Sequence, residues 1–74
     1  MDIIRVFGTN VRRFREAAGL TQEALAEKSE LHRTYISDVE RFQRSISLNN
    51  IQKIANALGI EAYILLKENE KDEL

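Results

Sequence analysis

Apolar residues recur along this chain at helical spacing, and no stretch shows the alternation of a strand. Phe7, Val11, Phe14 and Ala18 form one stripe and predict a first helix over about 3–18. Gly8 lies near its start, so the opening turns are expected to be irregular. Gly19 stops this helix, and Thr21 is a good N-cap for the next. Residues 21–40 then read as two short helices joined by a tight turn. Leu25, Ala26, Leu31, Ile36 and Val39 supply the contacts between them, with Ala26 small enough for a steep crossing. Ser47 caps a fourth helix over 48–58, whose inward side is Leu48, Ile51, Ile54, Ala55 and Leu58 and whose stop is Gly59. A fifth helix is expected over about 61–69, before an acidic tail at 70–74. The fold class is therefore all-α: a compact five-helix bundle forming a single domain over 1–74.

Two short helices with a turn between them have the layout of a helix-turn-helix, here over about 21–41, which lays its second helix in the major groove of DNA. Rotating that second helix at about 100° per residue separates its faces. Arg33, Thr34, Ser37, Asp38, Arg41 and Arg44 share one broad polar sector. Tyr35, Ile36, Val39 and Phe42 lie opposite. Arg33 can donate two hydrogen bonds to guanine, Thr34 can touch a base edge or a thymine methyl, Asp38 can accept from cytosine N4, and Ser37 suits base or phosphate. The preceding helix presents free backbone N–H groups at Thr21 and Gln22, where a phosphate is favoured and the Gln22 amide adds a donor. His32 stands at the N-cap of the second helix and is expected to cap it.

Composition agrees with a small binding module. A chain of 74 residues buries only about 60% of its unfolded surface. It has no cysteine and a single histidine, so no disulfide, thiolate metal site or cofactor is expected. No carboxylate pair has a spacing that demands catalysis, and an enzyme is not expected. The start MDIIRVFGTNVRRF lacks the continuous apolar core of a secretory signal, and no run approaches the roughly 20 apolar residues of a membrane span, so a cytoplasmic protein is expected. The final KDEL matches an endoplasmic-reticulum retrieval address, which has no meaning outside the secretory pathway and reads as coincidence. Net charge is –1, against the usual bulk basicity of DNA-binding domains. Residues 1–44 carry eight Lys/Arg against seven Asp/Glu, and residues 45–74 three against five. Affinity for DNA would thus depend on local placement of Lys28, Arg33, Arg41 and Arg44.

Residues 7–60 resemble the Cro/C1-type helix-turn-helix regulators, with a lambda repressor-like DNA-binding domain. The strings that carry the resemblance are VRRFREAAGLTQEALAEKSELHRTYISDVER and SLNNIQKIANALGI. Within that family the short length and LHRTYISDVER look most like controller proteins of restriction–modification systems. The resemblance implies that Thr21 and Gln22 hold phosphate, that Arg33, Thr34, Ser37 and Asp38 face bases, and that Tyr35, Arg41, Arg44 and Asn49 contact the DNA backbone. It also implies an ion pair between Arg15 and Glu40. Two positions depart from the family. Glu30 in the turn and Phe42 after the second helix stand where glycine is usual, at a cost of about 1 kcal/mol each if φ is positive there. At Phe42 the helix is expected to end differently, with the ring tucked inward.

Tyr63, Ile64, Leu65 and Leu66 are four successive largely apolar positions, more than a helix packed on one side can bury. A homodimer is expected through Ile46, Leu48, Ile64 and Leu65. The expected function is a sequence-specific transcriptional regulator that binds double-stranded DNA as a homodimer on a pseudo-palindromic operator, with no membrane or small-molecule partner. The alternative is a protein-interaction module of the same fold, such as an antitoxin or anti-repressor.

Overall fold

In the computed structural model, residues 1–68 are described. The acidic tail and its KDEL lie outside them, whereas the fifth helix, expected to run to about residue 69, already ends at Leu65. Five helices follow in order: α1 Ile3–Ala17, α2 Gln22–Ser29, α3 Arg33–Glu40, α4 Leu48–Leu58 and α5 Ala62–Leu65. Among the described residues there is no strand, and no helix is long and apolar enough to cross a membrane. The three caps that matter most are local. Asp2 caps α1 by accepting from the Ile4 and Arg5 N–H groups, Thr21 caps α2 through Ala24 N–H, and Ser47 caps α4 through Asn50 N–H. His32 occupies the N-cap of α3 but makes no side-chain capping bond, contrary to expectation. Its imidazole is exposed instead.

The first four helices end in one way. A residue of positive φ follows each, at Gly19 (74°), Glu30 (62°), Phe42 (64°) and Gly59 (72°). The next N–H then reaches back to a carbonyl five residues earlier: Leu20 to Arg15, Leu31 to Ala26, Gln43 to Asp38, and Ile60 to Ala55. Glu30 and Phe42 therefore adopt the glycine-type conformation without being glycine. The expectation of a different helix end at Phe42 is corrected, since its backbone makes the ordinary turn. Its ring lies against Gly8 and beneath the Arg5 guanidinium, 4.7 Å from the ring centroid.

The core is Phe7 and Val11 of α1, Leu25 and Ala26 of α2, Ile36 and Val39 of α3, Ile51, Ile54 and Ala55 of α4, and Leu65 of α5. Each is contributed by the apolar stripe of its helix, which is where most of the stability of such short helices arises. Three positions differ from the stripes read in the sequence. Ala18 falls past the end of α1 and is exposed. Leu48 is 81% exposed rather than inward, because it is the first residue of α4 and the packing begins one turn later. Leu65 is fully buried, so it cannot form a dimer interface as expected.

Gly8 does not disturb α1. The helix runs through it, and the missing side chain lets α1 approach the end of α3. A Cβ there would stand 2.3 Å from the Val39 carbonyl oxygen and 2.8 Å from Phe42 Cδ1. Alanine favours a helix by about 1 kcal/mol over glycine. The clash nevertheless dominates, and Gly8→Ala should destabilise the fold by about 1–3 kcal/mol in urea unfolding. A variant as stable as the parent would show that α1 and α3 separate without cost.

Asn10, one turn further along α1, is 2% exposed, and the core stripe gave no hint of it. Its amide donates to the carbonyls of Ile64 (3.3 Å), Leu65 (2.9 Å) and Lys67 (3.0 Å). These are carbonyls left open at the end of α5. A helix of four residues has no stability of its own. Asn10 and Leu65 thus fix α5 to α1 and set which of its residues face outward.

Candidate nucleic-acid interface

α3 divides as its sequence divides. Ile36, Val39 and Glu40 are buried, Arg33 and Thr34 are exposed, and Tyr35, Ser37 and Asp38 are half-buried. Of the four residues expected to face bases, Arg33 and Thr34 stand freely at the N-terminal end of the helix. Ser37 and Asp38 follow one turn later on the same side. The turn before α3 is fixed by the left-handed Glu30 and by Ser29, whose hydroxyl donates to the carbonyls of Leu25 and Ala26.

Arg15 and Glu40 are brought together across α1 and α3. Arg15 Nε donates to Glu40 Oε2 at 2.6 Å and Nη2 to Oε1 at 3.0 Å, a two-pronged pair. Nη1 donates to the Leu20 carbonyl at 2.8 Å. The side chains are 11% and 4% exposed. Hydrogen bonding to Glu40 raises the Arg15 pKa above its ordinary value, against the opposing effect of burial. Gln22 completes the network, its Nε2 donating to Glu40 Oε1 at 3.1 Å. The Gln22 amide, read in the sequence as a phosphate donor, is thus directed toward Glu40 in the free chain. Thr21 is exposed and uses its hydroxyl in capping.

The end of α3 holds a second cluster. Asp38 Oδ1 accepts from Arg41 Nη2 at 2.5 Å, and Oδ2 accepts from Arg44 Nη2 at 3.0 Å. These bonds, that of Arg44 first, hold the Asp38 carboxyl below its ordinary value near 3.8. A depressed carboxylate favours the folded state above its ordinary pKa and loses that contribution as pH falls through the depressed value. The cluster is therefore fully charged at neutral pH. Arg44 also lies over the Tyr35 ring, 4.9 Å from its centroid. The Tyr35 hydroxyl is buried, and among the described residues it has no hydrogen-bond partner. Tyr35 therefore presents no phenol to the surface in this conformation. Asn49 is exposed in the first turn of α4.

The spacing of Asp38 and Arg41, three apart on a helix, could have suggested their pairing. Arg44 lies beyond the helix end and is brought back only by the left-handed turn at Phe42. Tyr63, 67% exposed, was legible only as one member of an apolar run too long to bury. Ile46 and Ile64 are half-buried. The apolar surface at α4 and α5 is therefore Leu48 and Tyr63 with the edges of Ile46 and Ile64. Among the described residues, no group of His, Cys, Asp or Glu is arranged to hold a metal ion.

Comparison with known proteins agrees with this geometry. The helix-turn-helix family profile matches residues 11–65. The control protein C.BamHI of Bacillus amyloliquefaciens is 50% identical over 66 residues, covering 88% of this chain and 82% of that protein. The crystal structure of the restriction–modification controller protein C.AhdI from Aeromonas hydrophila has a TM-score of 0.82 at 50% identity, over 84% of this chain and 94% of that one. The controller protein C.Esp1396I, solved as a tetramer in complex with its natural 35-base-pair operator, has a TM-score of 0.81 at 31% identity, over 88% and 86% of the two chains. A buried Arg–Glu pair fixing an exposed polar helix, and a match spanning most of the chain, have one explanation: the chain belongs to the Cro/C1-type helix-turn-helix family and stands in it beside the controller proteins of restriction–modification systems.

Proposed function

We propose that this chain is a sequence-specific transcriptional regulator that reads a pseudo-palindromic operator as a homodimer and controls a restriction–modification system. The observation that carries this is the exposed face of α3, with Arg33 and Thr34 foremost, held on a helix that a buried ion pair locks to α1. The operator-bound tetramer of C.Esp1396I supports the same reading. Arg33, Thr34, Ser37 and Asp38 face bases in this arrangement. Thr21, Gln22, Tyr35, Arg41, Arg44 and Asn49 serve the backbone, Gln22 and Tyr35 after leaving the positions they hold in the free chain. Two recognition helices spaced by two-fold symmetry meet successive major grooves about 34 Å apart. The operator lies upstream of the regulator's own gene and an endonuclease gene, so that low occupancy activates and high occupancy represses. Its level is set by its own concentration, without catalysis.

Selection of random duplex DNA by the purified protein tests this. An enriched palindrome bound with a steep salt dependence is the expected result. A folded dimer that enriches nothing would favour a protein partner instead, as in an antitoxin or anti-repressor, for which the exposed Leu48 and Tyr63 would be the docking residues. Arg33→Ala should cost about 1–3 kcal/mol on the selected operator and relax preference at one base pair. An equal loss on every sequence would make Arg33 a phosphate contact.

A further inference from the structure

Arg41 and Arg44 are the two cations placed at the end of α3 for phosphate, and in the free chain neither is unoccupied. Each donates to a separate oxygen of the one Asp38 carboxylate. A carboxylate gripped at both oxygens presents guanidinium groups with much the same target as a phosphate diester. The arginines are nevertheless accessible, at 61% and 43% side-chain exposure, while Asp38 between them is 19% exposed. Arg33, at the other end of the helix, is exposed, and among the described residues no carboxylate is hydrogen-bonded to it. One cation at the reading end is left open, and the two at the other end are held by an internal anion.

We propose that Asp38 is a specificity-determining residue that acts as an exchangeable stand-in for phosphate. It neutralises Arg41 and Arg44 until a matching sequence accepts its carboxylate. The proposal rests on the DNA-reading function above. On an arbitrary duplex, moving the two arginines to phosphates leaves the carboxylate unpaired beside a polyanion. On the operator, Asp38 lies on the face that carries Arg33, Thr34 and Ser37, where a cytosine amino group can take up the released carboxylate. Exposed ion pairs are weak, so the exchange needs no large rearrangement. A nearly neutral protein thereby avoids spending its few cations on the wrong sequence.

The test compares the unaltered chain with Asp38→Asn, which keeps the shape and removes the charge. The probes are the selected operator duplex and a scrambled duplex of equal length, titrated between 50 and 200 mM salt, with circular dichroism as the check of folding. Releasing two cations adds about one to two phosphate contacts per subunit. Asp38→Asn should therefore bind scrambled DNA about three- to tenfold tighter at the low-salt end, with a steeper salt slope. The ratio of operator to scrambled affinity should fall. Adding Arg41→Ala and Arg44→Ala should abolish the gain. In the unaltered Asp38 background, the same two alanines should flatten the salt slope on the operator and leave the scrambled duplex nearly untouched, a measurement that stands even if Asp38→Asn folds poorly. Unchanged binding of scrambled DNA by Asp38→Asn, a gain that survives loss of both arginines, or equal flattening on both duplexes would each overturn the exchange. Operator binding by the parent together with any of these would sink the exchange alone. Failure of parent and variants to bind any duplex would sink the DNA reading with it.

Discussion

Glu40→Ala should lower stability by about 3–5 kcal/mol, because it leaves the Arg15 guanidinium in a largely covered site without its counter-charge. This is a large share of the roughly 5–15 kcal/mol that holds a small domain folded. Arg15 would keep its bond to the Leu20 carbonyl and a 3.8 Å approach to Glu16, which offsets part of the loss. Gln22 would lose its acceptor at the same time. Urea unfolding measures the effect directly. Glu40→Gln should cost less, since an amide oxygen still accepts from Arg15. Replacing both partners, as in Arg15→Met with Glu40→Leu, should cost less than the sum of the single changes, because no charge is then stranded. A Glu40→Ala variant within 1 kcal/mol of the parent would mean that the pair is solvated and contributes no more than a surface bridge, for which about 0–1 kcal/mol is usual. Operator affinity should fall with it even at temperatures where the variant is folded. The pair fixes the angle of α3 against α1, and a loosened recognition helix pays an added entropy cost on docking.

Leu48→Glu combined with Tyr63→Ser should leave a folded monomer and reduce operator affinity by about 10²–10⁴-fold, the range gained when a second binding event becomes intramolecular. Both side chains are largely exposed, at 81% and 67%, so neither change removes core packing. A glutamate in the first turn of α4 is even favourable for the helix. The loss would thus be confined to the exposed apolar surface at α4 and α5, which we propose as the dimer interface. Sedimentation equilibrium at tens of micromolar should show a dimer for the parent and a monomer for the variant. A parent that sediments as a monomer at that concentration would count against the homodimer, and a variant that remains dimeric would place the interface elsewhere. Leu65→Ala would act differently: it empties a fully buried site and should unfold the chain rather than merely dissociate it.

The contrast between Leu65 and Tyr63 shows where sequence reasoning stopped. The run from Tyr63 to Leu66 signals that one apolar side must face outward, since a helix cannot bury consecutive positions. Which side does so is set by the rotation of α5, and that rotation is decided by Asn10 gripping its terminal carbonyls from 54 to 57 residues away. Helical phase inside a longer element is different. In α3 the apolar and polar sectors are fixed to one another by 3.6-residue periodicity, so Ile36 and Val39 inside and Arg33 and Thr34 outside follow from the order of residues.

By itself, the sequence determined the number of helices, the caps at Thr21 and Ser47, the stops at Gly19 and Gly59, and the polar face of α3. These are local properties, governed by backbone hydrogen bonds and periodicities that span a turn or two. Only the tertiary structure decided that Gly8 is a contact point for α3, that Phe42 takes a glycine-type conformation with its ring on α1, that Gln22 turns to Glu40, and that Asp38 holds both Arg41 and Arg44. Each of these depends on how closely two segments approach or on the direction in which a chain leaves a helix. Distances of that kind are set by the packing of the whole core, and no window of the sequence contains them.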